Sequence, residues 1–338
     1  MITSLLLISL ISTLAATTVC RWVGLVDNPD DRKRHVGSIP LSGGIAVFIT
    51  IVISVFALNI PPYTPSMLTI AILVFALGVF DDFKHIAPWL RLSLQYGAGV
   101  ALATYGGIAI YNVGNLLALG DIPLLMLAVP LTALAVAGLS NAYNMIDGID
   151  GLSASLMLVP LAVLSTLAGL MNHPMLNSLL VMVVPLIVFL FFNLGPNTKY
   201  LPKIFLGDGG SITMGFLITA SLVFFAQGDS ALIHPVTALW LVTIPLMDML
   251  ATMARRARDG RKLMEADRYH LHYSLIDLGL SPRMTLLLLV LYAVACALFG
   301  LFLESLPDYI SMFSFFALFI VHLAFVAKVA RSLDAKAE

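Results

Sequence analysis

The sequence predicts an all-α integral membrane protein that crosses the bilayer about eleven times. Of its 338 residues, 60% are hydrophobic and only 11% are charged, whereas soluble domains are about 45–50% apolar and about 25% charged. Too few charged side chains remain to cover a water-facing surface. The composition therefore excludes a soluble enzyme and a disordered chain. A net charge of -1 also excludes a nucleic-acid-binding protein that works by bulk positive charge.

Eleven apolar segments support this prediction, because a transmembrane helix needs about 20 mostly apolar residues. The third segment is short and is expected to extend into its flanks. Spans built from strands would alternate over about ten residues, and the sequence lacks that pattern. The segments lie at 2–20, 42–60, 67–80, 92–111, 122–140, 152–171, 175–193, 210–226, 236–254, 284–303 and 308–327.

Lysine and arginine residues sort entirely to one side of this topology. All 18 fall in the loops after the first, third, seventh and ninth spans or in the C-terminal tail. Basic residues favour cytoplasmic loops, so the N-terminus is predicted outside and the C-terminus inside the cell. The first span has no basic residues before it, and we expect a retained helix rather than a signal peptide.

Most acidic residues lie on the same side as the basic ones. Only four of the 19 fall on the outer side, namely Asp121, Asp229, Glu304 and Asp308. The active site is therefore expected at the cytoplasmic face. The sequence shows no repeat, low-complexity tract or soluble linker, so residues 1–338 are treated as one membrane-embedded domain. Five loops are predicted to form that site: 21–41, 81–91, 141–151, 194–209 and 255–283.

The third span ends in a pair of acidic residues, Asp81 and Asp82. Adjacent residues on a helix point about 100° apart, so one carboxylate is expected to face the site. The other is expected to meet a partner such as Lys84 or Arg91. A solvated helix end is the alternative interpretation, because a carboxylate costs little at the membrane surface.

The strongest motif is SNAYNMIDGIDGL at residues 140–152. Four oxygen-bearing side chains recur every three residues, which brings them towards one side of a helical turn. Such a set, with no basic residue among it, favours a hard cation such as Mg²⁺. A polar connecting loop rich in turn formers is the alternative. The four residues are Asn141, Asn144, Asp147 and Asp150.

A third acidic motif, GDGGS with Asp208, lies just before the eighth span. Glycines on both sides leave the backbone N–H groups of that helix start open to an anion. An ordinary turn would look the same, and the motif is not a P-loop, because GxxxxGK[ST] is absent.

The longest inner loop, 255–283, carries seven basic residues together with His270 and His272. Such a loop suits a diphosphate and a nucleotide better than a metal ion. The two-residue spacing predicts that the two rings lie apart, which argues against shared metal ligation. Attraction to anionic lipid is an alternative reason for the basic residues but not for the histidines.

These motifs together resemble those of the polyprenyl-phosphate N-acetylhexosamine-1-phosphate transferases, which move a sugar phosphate from a UDP-sugar to a membrane polyprenyl phosphate. Residues 24–44 are most similar to the bacterial branch that uses undecaprenyl phosphate and starts O-antigen and enterobacterial common antigen synthesis. The motifs that carry the resemblance are the Asp pair at 81–82, NxxNxxDGxDGL at 141–152, FLGDGGS at 205–211 and DRxHLH at 267–272.

The resemblance implies a role for each matching residue. The catalytic positions are Asp81, Asp82, Asp147 and Asp150. Mg²⁺, or Mn²⁺ in its place, would be held by Asn144 and Asp208. The substrates would be held by Asn141, Arg91, Arg268, His270 and His272. Two departures from the family pattern are Lys84 with His85, where some relatives carry a further acid, and Tyr273 in place of a third histidine.

The resemblance also implies a Mg²⁺-dependent transfer of GlcNAc 1-phosphate from UDP-GlcNAc to undecaprenyl phosphate at the cytoplasmic face of the bacterial inner membrane. Membrane lipids are expected partners and nucleic acid is not. Another UDP-N-acetylhexosamine remains an alternative donor, and the oligomeric state, with a dimer as one option, stays open. A secondary transporter is a more distant alternative. Its ionisable groups would lie at mid-membrane, whereas nearly all of those in this sequence are predicted at one membrane surface.

Overall fold

A computed structural model describes residues 1–29, 37–198, 201–262 and 270–337, and these residues are mostly helical. Two-residue strands β1 (Val26–Asp27) and β2 (Ile39–Pro40) pair antiparallel, and short 3-10 turns lie at Leu125–Leu127 and Gly228–Ser230. The all-α class is confirmed. The α-helices of the described ranges are α1 (Ile2–Val23), α2 (Gly43–Ala57), α3 (Pro65–Lys84), α4 (Pro88–Thr104), α5 (Ala128–Met145), α6 (Leu152–Leu170), α7 (Leu176–Asn193), α8 (Gly207–Phe224), α9 (Pro235–Leu241), α10 (Thr243–Arg258), α11 (Leu271–Asp277), α12 (Pro282–Leu303) and α13 (Asp308–Ala337).

Every predicted apolar segment overlaps a helix, and within the described residues eight helices are long and apolar enough to cross a membrane. Helices α9 and α10 meet at 81° and make a ninth span if they are counted together. The third segment extends to 20 residues in α3, as expected. Helices α2 and α4 have only 15 and 17 residues. The count of eleven and the orientation of the termini therefore stay predictions.

Helix α8 is the centre of the bundle. All residues from Gly209 to Val223 are buried, and the helix packs against α2, α3, α5 and α6. Glycine permits this approach: a Cβ on Gly44 of α2 would lie 2.2 Å from the Cα of Gly210, and a Cβ on Gly210 would lie 2.6 Å from the Cα of Gly44. Two backbones touch here, so the start of α8 is held between its neighbours.

The strand pair ties the first loop to the start of α8. The N–H of Phe205 donates to the carbonyl of Pro40 over 3.0 Å, and the N–H of Gly43 donates to the carbonyl of Phe205 over 2.8 Å. The ends of α3 and α5 and the starts of α4 and α8 meet at one end of the bundle, where the acidic motifs lie.

Candidate active site

The carboxylate of Asp82 caps the first turn of α8. Its Oδ1 accepts from the N–H of Asp208 over 2.8 Å, and its Oδ2 accepts from the N–H of Gly209 over 2.9 Å. A helix N-terminus attracts negative charge because its first N–H groups have no partner within the helix. The anion predicted to face GDGG is therefore, in the structure, a side chain of the chain itself.

The neighbouring carboxylate, Asp81, turns to Arg91, which is the divergence predicted for adjacent helix positions. Asp81 is buried, accepts from Nη1 of Arg91 over 2.8 Å, and accepts from the N–H of Ile86 over 2.6 Å. Arg91 also lies 3.7 Å from Oδ2 of Asp208 and donates to Oδ1 of Asn141 over 3.4 Å. One guanidinium thus joins α3, α4, α5 and α8.

The two asparagines of the last turns of α5 complete this network. Asn144 donates from Nδ2 to Oδ1 of Asp208 over 2.6 Å and to Oγ of Ser211 over 3.0 Å. Asn141 donates to Oε1 of Gln95, a buried residue of α4. These contacts bring the predicted metal residues together and place the predicted substrate residues Asn141 and Arg91 beside them.

The two aspartates of the α5–α6 loop have different surroundings. Asp150 forms an ion pair with Lys203 at an exposed edge of the site. Asp147 keeps an open side to solvent, yet its partial removal from water, followed by the negative charges of Asp208, Asp82 and Asp150, raises its pKa to about 8. The charges that crowd Asp147 belong to the acidic motifs singled out in the sequence.

The histidine segment, residues 270–273, packs against this loop at Gly148. The rings of His270 and His272 are parallel, 5.7 Å apart between centroids, so the prediction that they lie apart is wrong. His270 has extended backbone before α11, whereas His272 lies in its first turn, and this change of conformation aligns the rings. Tyr273 donates to the carbonyl of Gly148 over 3.3 Å. Arg268 lies outside the described residues.

A residue that the sequence reasoning missed holds this segment in place. Asp248 of α10 is 2% exposed and accepts from Nδ1 of His270 over 2.8 Å and from the N–H of Leu271 over 2.7 Å. The available signal was a single acidic residue inside the apolar segment 236–254, since ionisable residues at such positions are rarely without a function.

The donor set suits a divalent cation held by few protein ligands. Asp82, Asp147, Asp208 and Asn144 offer the hard oxygen atoms that Mg²⁺ prefers, and Mg²⁺ is ordinarily bound by one or two carboxylates together with water and substrate phosphates. Within the described ranges, no three His, Cys, Asp or Glu side chains form a ready-made metal cage. The residues thus fit a cation shared with a phosphate and do not fit a closed structural metal site.

Comparisons with known proteins cover almost the whole chain. Residues 64–226 match the model of glycosyl transferase family 4. The undecaprenyl-phosphate alpha-N-acetylglucosaminyl 1-phosphate transferase of Escherichia coli K12 is 33% identical over 330 residues, which cover 95% of this chain and 89% of that protein. The protein of the same name from Yersinia pestis is 34% identical over 325 residues, covering 94% and 88%.

A more distant relative comes from Bacillus subtilis strain 168 and is named "Probable undecaprenyl-phosphate N-acetylglucosaminyl 1-phosphate transferase". It is 29% identical over 340 residues, which cover 98% of this chain and 92% of that protein. The family match spans the acidic motifs from Asp81 to Asp208, and these side chains converge on one site. The chain therefore belongs to glycosyl transferase family 4, as a sugar-phosphate transferase.

Proposed function

We propose that this enzyme transfers GlcNAc 1-phosphate from UDP-GlcNAc to undecaprenyl phosphate and releases UMP. The observation that carries the proposal is the convergence of Asp82, Asp147 and Asp208 with Arg91 at one end of an apolar helical bundle. A phosphorylated lipid needs an apolar bundle beside its tail, which lies in the bilayer, and cationic partners for its phosphate. The names of the relatives support the choice of lipid and sugar.

The reaction is an attack of a phosphate oxygen of the lipid on the β-phosphorus of the nucleotide sugar. A P–O bond forms there, and the bond from that phosphorus to the oxygen bridging to the α-phosphorus breaks, so that UMP leaves with that oxygen. The second pKa of a phosphate monoester is about 6, so the lipid phosphate is mostly dianionic at neutral pH. A strong general base is therefore dispensable.

Mg²⁺, or Mn²⁺, would be held by Asp208 and Asn144 and would supply neutralisation of the phosphate charge. Other residues of the chain position the groups that bind the substrates and the cation. Arg91 offers its guanidinium to phosphate oxygens, and Asp81 keeps that guanidinium in place through their 2.8 Å contact. Asp82 holds the start of α8, and thereby Asp208, in register.

The proposal places this site at the cytoplasmic face of the bacterial inner membrane, at the first membrane step of a cell-surface polysaccharide of the O-antigen or enterobacterial common antigen type. The sorting of all lysines and arginines supports the side. UDP-GlcNAc, undecaprenyl phosphate and membrane lipids are its partners.

The test is UMP release by the purified protein in detergent with undecaprenyl phosphate and a panel of UDP-sugars. We expect the highest kcat/KM with UDP-GlcNAc, and loss of turnover when EDTA replaces the divalent cation. Faster turnover of another UDP-N-acetylhexosamine would overturn the choice of sugar. No UMP release with any donor, under conditions where the protein is folded, would overturn the reaction.

A further inference from the structure

Asp248 is a buried carboxylate with both oxygen atoms committed to one segment. Oδ2 contacts Nδ1 of His270, and Oδ1 accepts from the N–H of Leu271. A carboxylate in an apolar helix is costly unless it is paired and hydrogen-bonded. The segment that opens α11 therefore supplies the hydrogen bonds that make the buried position of Asp248 tolerable.

This contact determines what His270 can do with its other nitrogen. An ionised carboxylate only accepts hydrogen bonds, so Nδ1 of His270 must carry a hydrogen. Oγ1 of Thr252 lies 3.4 Å from the same nitrogen. Nε2 is left as the ring atom that can face a substrate.

The same segment reaches the acidic site on its other side. The ring of His272 stacks parallel to that of His270, and a Cβ on Gly148 would lie 2.2 Å from Nε2 of His272. Gly148 directly follows Asp147, whose N–H donates to the carbonyl of Asn144 over 3.3 Å, and Asn144 in turn donates to Asp208. A continuous line of contacts therefore joins Asp248 to the carboxylate cluster.

We propose that Asp248 is a positioning residue for the transfer reaction: it holds His270 so that Nε2 meets the diphosphate of the nucleotide sugar. The inference rests on the proposed function, in which His270 binds that donor. Asp248 itself touches no substrate and acts through His270. Its removal should therefore impair the enzyme no further once His270 is absent.

The experiment is a double-mutant cycle with Asp248→Asn and His270→Ala, in which kcat and KM for UDP-GlcNAc are measured by UMP release. We expect each single variant to lower kcat/KM about 10-fold to 100-fold, the range found when the hydrogen-bond partner of a metal-bound histidine is removed. We expect the double variant to lie within about twofold of the worse single one. A purely structural role would instead multiply the two losses.

The chain offers a matched control at a separate site. Asp308 accepts from the N–H of Asn115 over 2.9 Å, and its other oxygen lies 2.8 Å from Nδ1 of His234, so it forms the same two contacts at a more exposed site. Asp308→Asn and His234→Ala should leave kcat/KM within about twofold of wild type. Equal losses in the two pairs would contradict a specific role for Asp248.

Several results would overturn the proposal. Asp248→Asn with wild-type kcat/KM would do so, and so would losses that multiply in the double variant. If Asp248→Asn does not fold, the cycle is run with Asp248→Glu, which keeps the charge, under the same criterion. A wild-type protein without UMP release overturns the proposed reaction instead, and the rise in Tm caused by UDP-GlcNAc then serves as the readout of the same cycle.

Discussion

Gly148→Ala adds one methyl group where the loop of the acidic site meets the histidine segment. The new Cβ would lie 2.2 Å from Nε2 of His272 and 2.7 Å from Oη of Tyr273. Ordinary contact begins at 3.4 Å, so the imidazole must retreat by about 1.2 Å. His272 is fully buried, so its ring is confined by the side chains around it. Gly148 itself does not have a positive φ, so alanine strains no backbone angle there.

A displacement of about 1 Å near reacting groups can cost about 10²-fold in rate, and overpacking a core costs about 1–3 kcal/mol. We therefore expect kcat/KM for the nucleotide sugar to fall about 100-fold, with a lower Tm but a folded protein. UMP release and thermal unfolding measure the two effects.

Gly138→Ala is the matched control, because Gly138 lies in α5 and its added Cβ would meet only Cε of Met249, at 3.7 Å. This variant should keep the wild-type rate and gain up to about 1 kcal/mol of helix stability. If Gly148→Ala releases UMP within about twofold of wild type, the close packing of the histidine segment on the acidic loop has no bearing on turnover.

Two further predictions concern stability. Because the pKa of Asp147 is raised, its contribution to stability is complete below the ordinary pKa of 3.8 and is lost as the pH rises through about 8. Tm of the ligand-free protein should therefore fall from pH 6 to pH 8, and it should fall less in Asp147→Asn. Parallel plots of Tm against pH for the two proteins would contradict this assignment. Gly44→Ala should lower Tm strongly, because the Cβ would meet the backbone of Gly210 at 2.2 Å and two helices must separate. Gly97→Ala is the control, because its Cβ has open space around it, and it should leave Tm unchanged. Equal Tm values for the two variants would refute the close packing of α2 on α8.

The helices could be predicted from the sequence because apolar length is a local property. Each apolar segment overlaps a helix, yet the number of spans does not follow, because α2 and α4 are shorter than a full crossing. The 81° break between α9 and α10 was also not predicted, since the apolar run at 236–254 continues through it.

The acidic motifs of the candidate site could likewise be identified, but their pairing could not. Asp82 caps α8 from 126 residues away, and no local pattern encodes which of two adjacent carboxylates does so. The partner of Asp248 could not be predicted for a related reason, because His270 lies 22 residues further along the chain. Long-range packing decides both contacts.

We propose that the sugar phosphate is transferred at the carboxylate cluster around Asp208. Asp208→Asn tests it most directly, because the amide oxygen can still accept from Asn144, as Oδ1 does over 2.6 Å, while the negative charge is lost. In UMP release with UDP-GlcNAc and undecaprenyl phosphate, we expect kcat to fall at least about 100-fold in a protein that unfolds at a Tm no lower than wild type. A kcat close to wild type would show that the transfer takes place elsewhere.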